Sequence, residues 1–117
     1  MPRVPLHRLA TARSGDKGAG SNIGVMARSG PAYLFLREHL TAAVVREHMK
    51  DINRGDVLRY EADTMLVLNF ILTDSLGGGG SASIRTDAQG KTHGLALLRL
   101  VLDVPAEILA ATPPPRG

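Results

Sequence analysis

A stretch rich in glycine and charge, Ala12–Arg28, contains the residues of this sequence best suited to binding or chemistry. Glycines at positions 15, 18 and 20 allow successive backbone N–H groups to point into one concavity, which favours anions. Arginine and lysine add positive charge for a carboxylate or phosphate, and aspartate can accept a proton or hold either cation in place. The candidate ligand-binding residues of this stretch are Arg13, Ser14, Gly15, Asp16, Lys17, Gly18 and Asn22.

The same stretch is also typical of a solvated hairpin loop with a local pair between Asp16 and Lys17, and spacing alone favours this second interpretation. The Gly-x4-Gly-Lys-Ser/Thr spacing of a phosphate-binding P-loop is absent. The hypothesis of an anion-binding loop therefore competes with a purely structural one.

A second glycine-rich segment, Gly77–Ser83, contains four consecutive glycines, which are costly in entropy to order. It fits a flexible tether, a stretched connection between a helix and a strand, or a backbone that approaches a ligand or another chain. The ligand hypothesis expects the two glycine segments to lie together around one pocket or docking seam. Its candidate residues here are Gly78, Gly79, Gly80 and Ser81.

Asn69 is the one polar residue between Leu68 and Phe70 in an apolar run. A buried asparagine must be hydrogen-bonded, so Asn69 is either a structural clip or a ligand-facing group. It completes the set of candidate binding residues.

No catalytic residue and no metal or other cofactor is predicted. The sequence has no cysteine, which excludes disulfides, thiolate metal sites and thiol nucleophiles. The four histidines form no HxxxH or HxH pair; His48 is expected in the core and His93 at the surface. No G-x-S-x-G motif is present, and Ser14 has no base visible in the sequence, so whether the chain is an enzyme stays open.

Length and charge narrow the class of protein. At 117 residues the chain can build one packed domain but not two. The net charge of +3 comes from basic residues interleaved with acids, and aromatic residues are few. This pattern argues against nucleic acid and favours an anionic small molecule or an acidic partner. No apolar run has the length of a signal peptide or a membrane span, so a cytoplasmic protein without membrane contact is expected.

The apolar pattern around these segments predicts an α+β domain over residues 1–110, followed by a proline-rich flexible tail over 111–117. Helices are predicted over 29–40 and 41–55, capped by Ser29 and Thr41. Gly24 indicates a bulge or a close backbone approach within its strand. Strands are predicted over Val4–Arg13, Asn22–Arg28, Asp56–Ala62, Ser81–Asp87 and Thr92–Val104, with a hairpin turn at Ala88–Lys91.

The segment 64–76 fits two kinds of element. Apolar residues at 66, 68, 70 and 72 alternate as in a buried strand, whereas those at 65, 68, 72 and 76 follow helical spacing. Cap residues at 63 and 64 and a glycine stop at 77 favour the helix, which is therefore predicted. One mixed or antiparallel sheet with helices on one face accounts best for the whole order.

Several of these segments together resemble the C-terminal ferredoxin-fold domain of AtuA-type proteins, the acyclic terpene utilisation A group. They are RSGDKG, NIGVMAR, LNF, LGGGGSASIRTDAQGK and GLALLRL, in this order along nearly the whole chain. The resemblance implies a ferredoxin-like α+β sandwich and a setting in the breakdown of acyclic terpenes or other branched compounds as acyl-CoA thioesters. It brings no catalytic residues. The chain departs from the family at Ala19, where an acidic residue or asparagine often follows the glycine.

In that family the module commonly follows a larger N-terminal domain, whereas here it begins near Met1. The first hypothesis is therefore an accessory subunit that docks onto a separately encoded large AtuA-type chain, as a hetero- or homo-oligomer. One alternative is a homo-oligomeric small enzyme or acyl-CoA-binding protein that uses the Arg13–Lys17 loop. Another is a structural protein whose polar loops serve only homo-oligomer packing.

Overall fold

A computed structural model describes residues 2–17, 20–74 and 93–115, with the backbone alone at 16 and 17. The strands are β1 (Arg3–Pro5), β2 (Ala10–Lys17), β3 (Gly20–Ala27), β4 (Val57–Ala62), β5 (Val67–Leu72) and β6 (Val101–Asp103). The helices are α1 (Gly30–His39), α2 (Ala42–His48), α3, described over 93–98, and α4 (Ala106–Ala110). Short 3-10 turns occupy Leu6–Arg8 and Asp63–Met65.

Four strands form the central sheet in the order β2-β3-β5-β4, and every neighbouring pair is antiparallel. A separate two-stranded ribbon pairs β1 with β6. The predicted α+β class, with an antiparallel sheet and helices on one face, is confirmed. Among the described helices, none combines the length and the apolar character that crossing a membrane requires.

The core lies between the helices and one face of this sheet, which we call the covered face. Because side chains alternate along a strand, Ile23 and Val25 of β3 point to the same side as Leu68 and Phe70 of β5. All four are fully buried. They share one apolar cluster with helical residues, among them Leu36, Leu40, Val45 and Leu97.

The first two helices begin at the predicted caps. The Ser29 hydroxyl accepts a hydrogen bond from the Ala32 N–H at 3.1 Å, and the Thr41 hydroxyl accepts one from the Val44 N–H at 3.1 Å. Helix α2 is shorter than predicted and ends at His48. Asn53 then closes the following turn, because its side-chain amide donates to the carbonyls of Gly55 and Asp56.

The helix predicted over 64–76 is wrong. Its cap signal forms only the 3-10 turn Asp63–Met65, and Leu66 then takes a left-handed conformation with φ of 58°, which ends the turn. The chain continues as β5, a strand with a neighbour on each side. The period of two prevailed over the helical spacing because every second side chain of β5 is buried against the helices.

Two other predicted strands differ from the structure. The strand over Val4–Arg13 is interrupted by the turn Leu6–Arg8, and β2 continues past the expected break at Ser14 and Gly15. The described part of Thr92–Val104 is helix α3 followed by the short strand β6. The predicted strand Ser81–Asp87 and the turn Ala88–Lys91 lie outside the described residues.

The C-terminal segment is packed beyond the predicted domain boundary at residue 110. Thr112 is buried, and its hydroxyl bonds to the Ile108 carbonyl at 2.7 Å and to the Ser29 hydroxyl at 2.8 Å. The Arg8 guanidinium donates to the carbonyls of Leu109 and Thr112 at 3.0 and 2.9 Å. The packed segment therefore includes Thr112, two residues past the predicted boundary at residue 110.

Candidate functional site

The predicted anion-binding loop is largely a β-hairpin. In the register of β2 and β3, Gly15 pairs with Asn22, residue 16 with Ser21 and residue 17 with Gly20. Strand backbone sends successive N–H groups to opposite sides, so these amides do not converge on one concavity. The loop interpretation is wrong for residues 13–17 and 20–22, whereas Gly18 lies outside the described residues.

The hairpin instead sorts the candidate residues by face. Arg13, Gly15, Asn22 and Asn69 lie on the side of the sheet away from the helices, whereas Ser14 lies on the covered face. We call the uncovered side the open face. Its described members are Thr11, Arg13, Gly15, Gly20, Asn22, Gly24, Met26, Leu58, Tyr60, Ala62, Val67, Asn69 and Ile71.

One straight row crosses the open face over all four strands. Arg13 pairs with Gly24, Gly24 with Asn69, and Asn69 with Tyr60. The predicted bulge at Gly24 is wrong, because the register continues without interruption on both sides of it. The row places a cation at one edge of the face, an amide near the middle and a phenol at the other edge.

Large apolar side chains in this row and beside it remain exposed. Tyr60 is 55% exposed, Met26 49% and Leu58 44%. Three large apolar side chains exposed on one side of the sheet make the open face the candidate binding surface.

The polar side chains of the open face bond to no other described residue. Within the part of the chain that the structure describes, the Arg13 guanidinium and the side-chain amides of Asn22 and Asn69 make no hydrogen bond or ion pair. Both asparagines are half-buried. Asn69 therefore clips no other described residue in place, and its role as a ligand-facing group stays a prediction.

Two glycines of this face, Gly15 and Gly24, are not required by the described part of the fold. Among the described residues, a Cβ added at Gly15 would meet no atom within 4 Å, and one at Gly24 would approach only the Arg13 carbonyl at 3.9 Å and Asn69 Oδ1 at 4.0 Å. Neither residue has a left-handed φ. Gly20 is different, because its added Cβ would collide with the backbone oxygen of Leu72.

A serine–histidine cluster occupies the covered face beneath the hairpin. The Ser21 hydroxyl lies 3.1 Å from His93 Nδ1, and the Ser14 hydroxyl accepts from the Gly94 N–H at 3.3 Å. His93 is only 4% exposed and Ser21 is fully buried, so the surface position predicted for His93 is wrong. A nucleophile must reach its substrate, and this pair is enclosed. It fixes the start of α3 on the sheet.

His48 also differs from its prediction as a core residue. Its ring is exposed, and Nε2 donates to the Ala96 carbonyl at 2.9 Å, which ties α2 to α3. Within residues 2–17, 20–74 and 93–115, no three histidine or carboxylate side chains come together as a metal site would require.

A polar network on the helical side shifts the pKa values of Tyr33 and Asp63. The Tyr33 hydroxyl donates to Asp63 Oδ1, and Arg37 Nη1 lies 3.3 Å from Asp63 Oδ2. Burial of the phenol, reinforced by the hydrogen bond and charge of Asp63, raises the pKa of Tyr33 from 10.0 to about 12. The same hydrogen bond, with the nearby Arg37 cation, lowers the pKa of Asp63. This network ties α1 to the turn between β4 and β5.

Several candidate residues cannot be placed relative to this face. Gly78, Gly79, Gly80 and Ser81 lie outside the described residues, as do the side chains of Asp16 and Lys17. The expected approach of the two glycine segments therefore stays a prediction.

Sequence reasoning missed the three exposed apolar residues of the open face. In β4, Leu58 and Tyr60 alternate with Arg59 and Glu61, a pattern that by itself would turn the apolar pair toward the core. The structure does the opposite, because Arg59 reaches beneath α1 and donates to the carbonyls of residues 37 and 40 at 2.7 and 3.1 Å. The feature of the sequence that marks this face is the pair of glycines Gly15 and Gly24, which lie on neighbouring strands.

A family model described as the AtuA ferredoxin-like domain matches residues 4–103 of the 117-residue chain. This match agrees with the ferredoxin-like fold implied by the resemblance of the sequence. No curated protein and no solved structure gives a match.

Proposed function

Since the chain belongs to the AtuA ferredoxin-like domain family, we propose that it is a non-catalytic accessory subunit that docks through its open face onto a separately encoded large AtuA-type chain. The observation that supports this most directly is the uncovered side of the central sheet. Three large apolar side chains are about half exposed there, around polar groups that have no partner among the described residues. A surface of this composition is stabilised when another protein covers it.

The described chemistry supports binding better than catalysis. The serine–histidine pair is buried, and the row across the open face contains no carboxylate or histidine that could transfer a proton. The setting we propose is the one implied by the resemblance, the cytoplasmic breakdown of acyclic terpenes or branched acyl-CoA thioesters. The large chain would supply the reaction, and this subunit would complete its surface.

Arg13 keeps a second candidate function open, the binding of an anionic acyl-CoA-like molecule. Its guanidinium is exposed and makes no ion pair with another described residue. Calorimetry with CoA and an acyl-CoA tests this function, and Arg13→Ala should abolish any binding that it explains.

Co-purification tests the docking function. A tagged large AtuA-type chain without its own ferredoxin-like module should retain this chain at micromolar concentrations. Met26→Glu, which puts a charge into the apolar surface, should weaken the complex at least tenfold. Leu34→Glu is the matched control, because Leu34 is 55% exposed on α1, away from the open face, and its substitution should leave binding unchanged. Failure of the wild-type chain to bind would contradict the proposal, as would equal loss with both variants.

A further inference from the structure

Gly15 and Gly24 have a property that the described part of the fold does not explain. Glycine within a strand is destabilising relative to alanine, because it loses more backbone entropy and packs no side chain. At both positions the space above the backbone is open to a Cβ, and the φ angles are ones that any residue adopts. The absence of a Cβ at both positions therefore leaves room there for atoms that do not belong to the described residues.

The two glycines form a compact strip on β2 and β3. Gly15 lies opposite Asn22, and Gly24 lies opposite Arg13, so each bare position is adjacent to a polar side chain. Asn69 borders the strip on the next strand, beside Gly24. We call Gly15 and Gly24 the glycine strip. Around it, three groups able to hydrogen-bond make no such bond within the described residues.

Charge on the open face favours a different chain over a second copy. Arg13 is the one charged side chain among its described members, and no described carboxylate lies on this face. Two copies packed face to face would therefore bring arginines together without an acidic partner for either. Like charges brought together in this way oppose association.

The size of the face indicates how far the contact must extend. Four strands about 4.8 Å apart and about six residues long, at about 3.3 Å per residue, give a flat footprint of roughly 400 Å². Stable interfaces bury about 800 Å² of accessible surface per partner. We therefore expect the partner to contact the edges of the sheet as well as the open face.

We infer that the glycine strip is the contact point for a different protein chain, whose backbone packs directly on β2 and β3 and whose apolar surface places a carboxylate against Arg13. The side-chain amides of Asn22 and Asn69 bond the peptide groups of that chain. The absence of both Cβ atoms sets how closely the two backbones approach. This inference rests on the proposed docking function. It adds which groups of the open face recognise the partner and which groups of the partner they bind.

Alanine substitution separates binding from folding at the strip. Gly24→Ala and Gly15→Ala should fold with melting temperatures no lower than that of the wild-type chain, because both sites have room for a methyl group. Each should weaken binding to the immobilised large AtuA-type chain at least tenfold. Gly30→Ala is the matched control, since its added Cβ also meets no atom within 4 Å but lies at the start of α1. It should bind as the wild type does.

Arg13→Gln tests the carboxylate. Binding should fall about tenfold at low salt, and the remaining affinity should depend less on salt than that of the wild type. Interferometry at two salt concentrations measures both effects. An unchanged affinity and salt dependence would overturn the assigned chemistry.

The outcomes distinguish the two proposals. If Met26→Glu abolishes binding while both strip variants bind as tightly as the wild type, the docking function stands and the role of the strip is overturned. If the wild-type chain does not bind the large chain, both fall. If the chain forms a dimer that Gly24→Ala dissociates, the strip contacts a second copy, and the inference of a different partner is overturned.

Discussion

The two faces of the central sheet are built from similar residues but have different surroundings. On the covered face, Ile23 and Phe70 are fully buried beneath helices. On the open face, Met26 and Tyr60 are about half exposed and no described helix lies above them. Residue type does not separate the faces, because both contain large apolar side chains. The covered face completes the fold, and the open face is where we expect a partner to bind.

The largest expected effect compares one residue from each face. Phe70→Ala should destabilise the chain by about 3–5 kcal/mol, because it leaves a cavity in a core that no solvent reaches. Met26→Ala should change the free energy of unfolding by less than about 1 kcal/mol, because its side chain is half exposed. Urea unfolding followed by circular dichroism measures both values. Equal losses would contradict the assignment of the two faces.

A smaller effect is expected where the covered face holds α3. Ser21→Ala removes the hydrogen bond to His93 Nδ1 inside the protein and should cost about 1–3 kcal/mol. Thr11→Ala is the matched control, because Thr11 is exposed on the open face of the neighbouring strand and should cost less than about 0.5 kcal/mol. Both costs come from the same urea titration. A cost at Ser21 no larger than at Thr11 would show that the pair does not hold α3.

The smallest effect is visible only at high pH and involves the two tyrosines. The pKa of Tyr33 is raised from its ordinary value of 10.0 to about 12, so the neutral phenol is favoured in the folded chain. The stability that it contributes is complete below pH 10 and is lost as the pH rises toward 12. The stability advantage of the wild type over Tyr33→Phe should therefore shrink across this window.

Absorbance titration checks the assignment directly. In Tyr60→Phe, Tyr33 is the remaining tyrosine, and its phenolate should appear with a midpoint near pH 12. A midpoint near 10 would show that Asp63 and burial do not hold the proton in the folded chain.

Local signals in the sequence predicted the starts of the first two helices and the fold class. Ser29 and Thr41 cap their helices as expected, because a cap depends only on residues within one turn. The segment 64–76 was predicted wrongly because both periods are present in it. Which one prevails depends on the strands β3 and β4 that flank β5, and these contacts are not local.

The candidate site was predicted in its residues but not in its geometry. Arg13, Gly15, Asn22 and Asn69 do lie on one surface, yet through strand register rather than through a loop. The exposed position of Tyr60 could not be predicted from alternation, since it depends on Arg59 reaching the end of α1. Alternation along a strand determines which side chains share a face of the sheet. It does not determine which of the two faces the helices cover.

The ribbon of β1 and β6 affects when the chain can finish folding. Arg3–Pro5 pairs with Val101–Asp103, and the Pro2 carbonyl accepts from the Val104 N–H at 2.9 Å. During synthesis β1 therefore has no partner until Val101–Asp103 has left the ribosome. Closing so long a loop costs conformational entropy and is therefore slow. We expect the central hairpins to form first and the ribbon to form last.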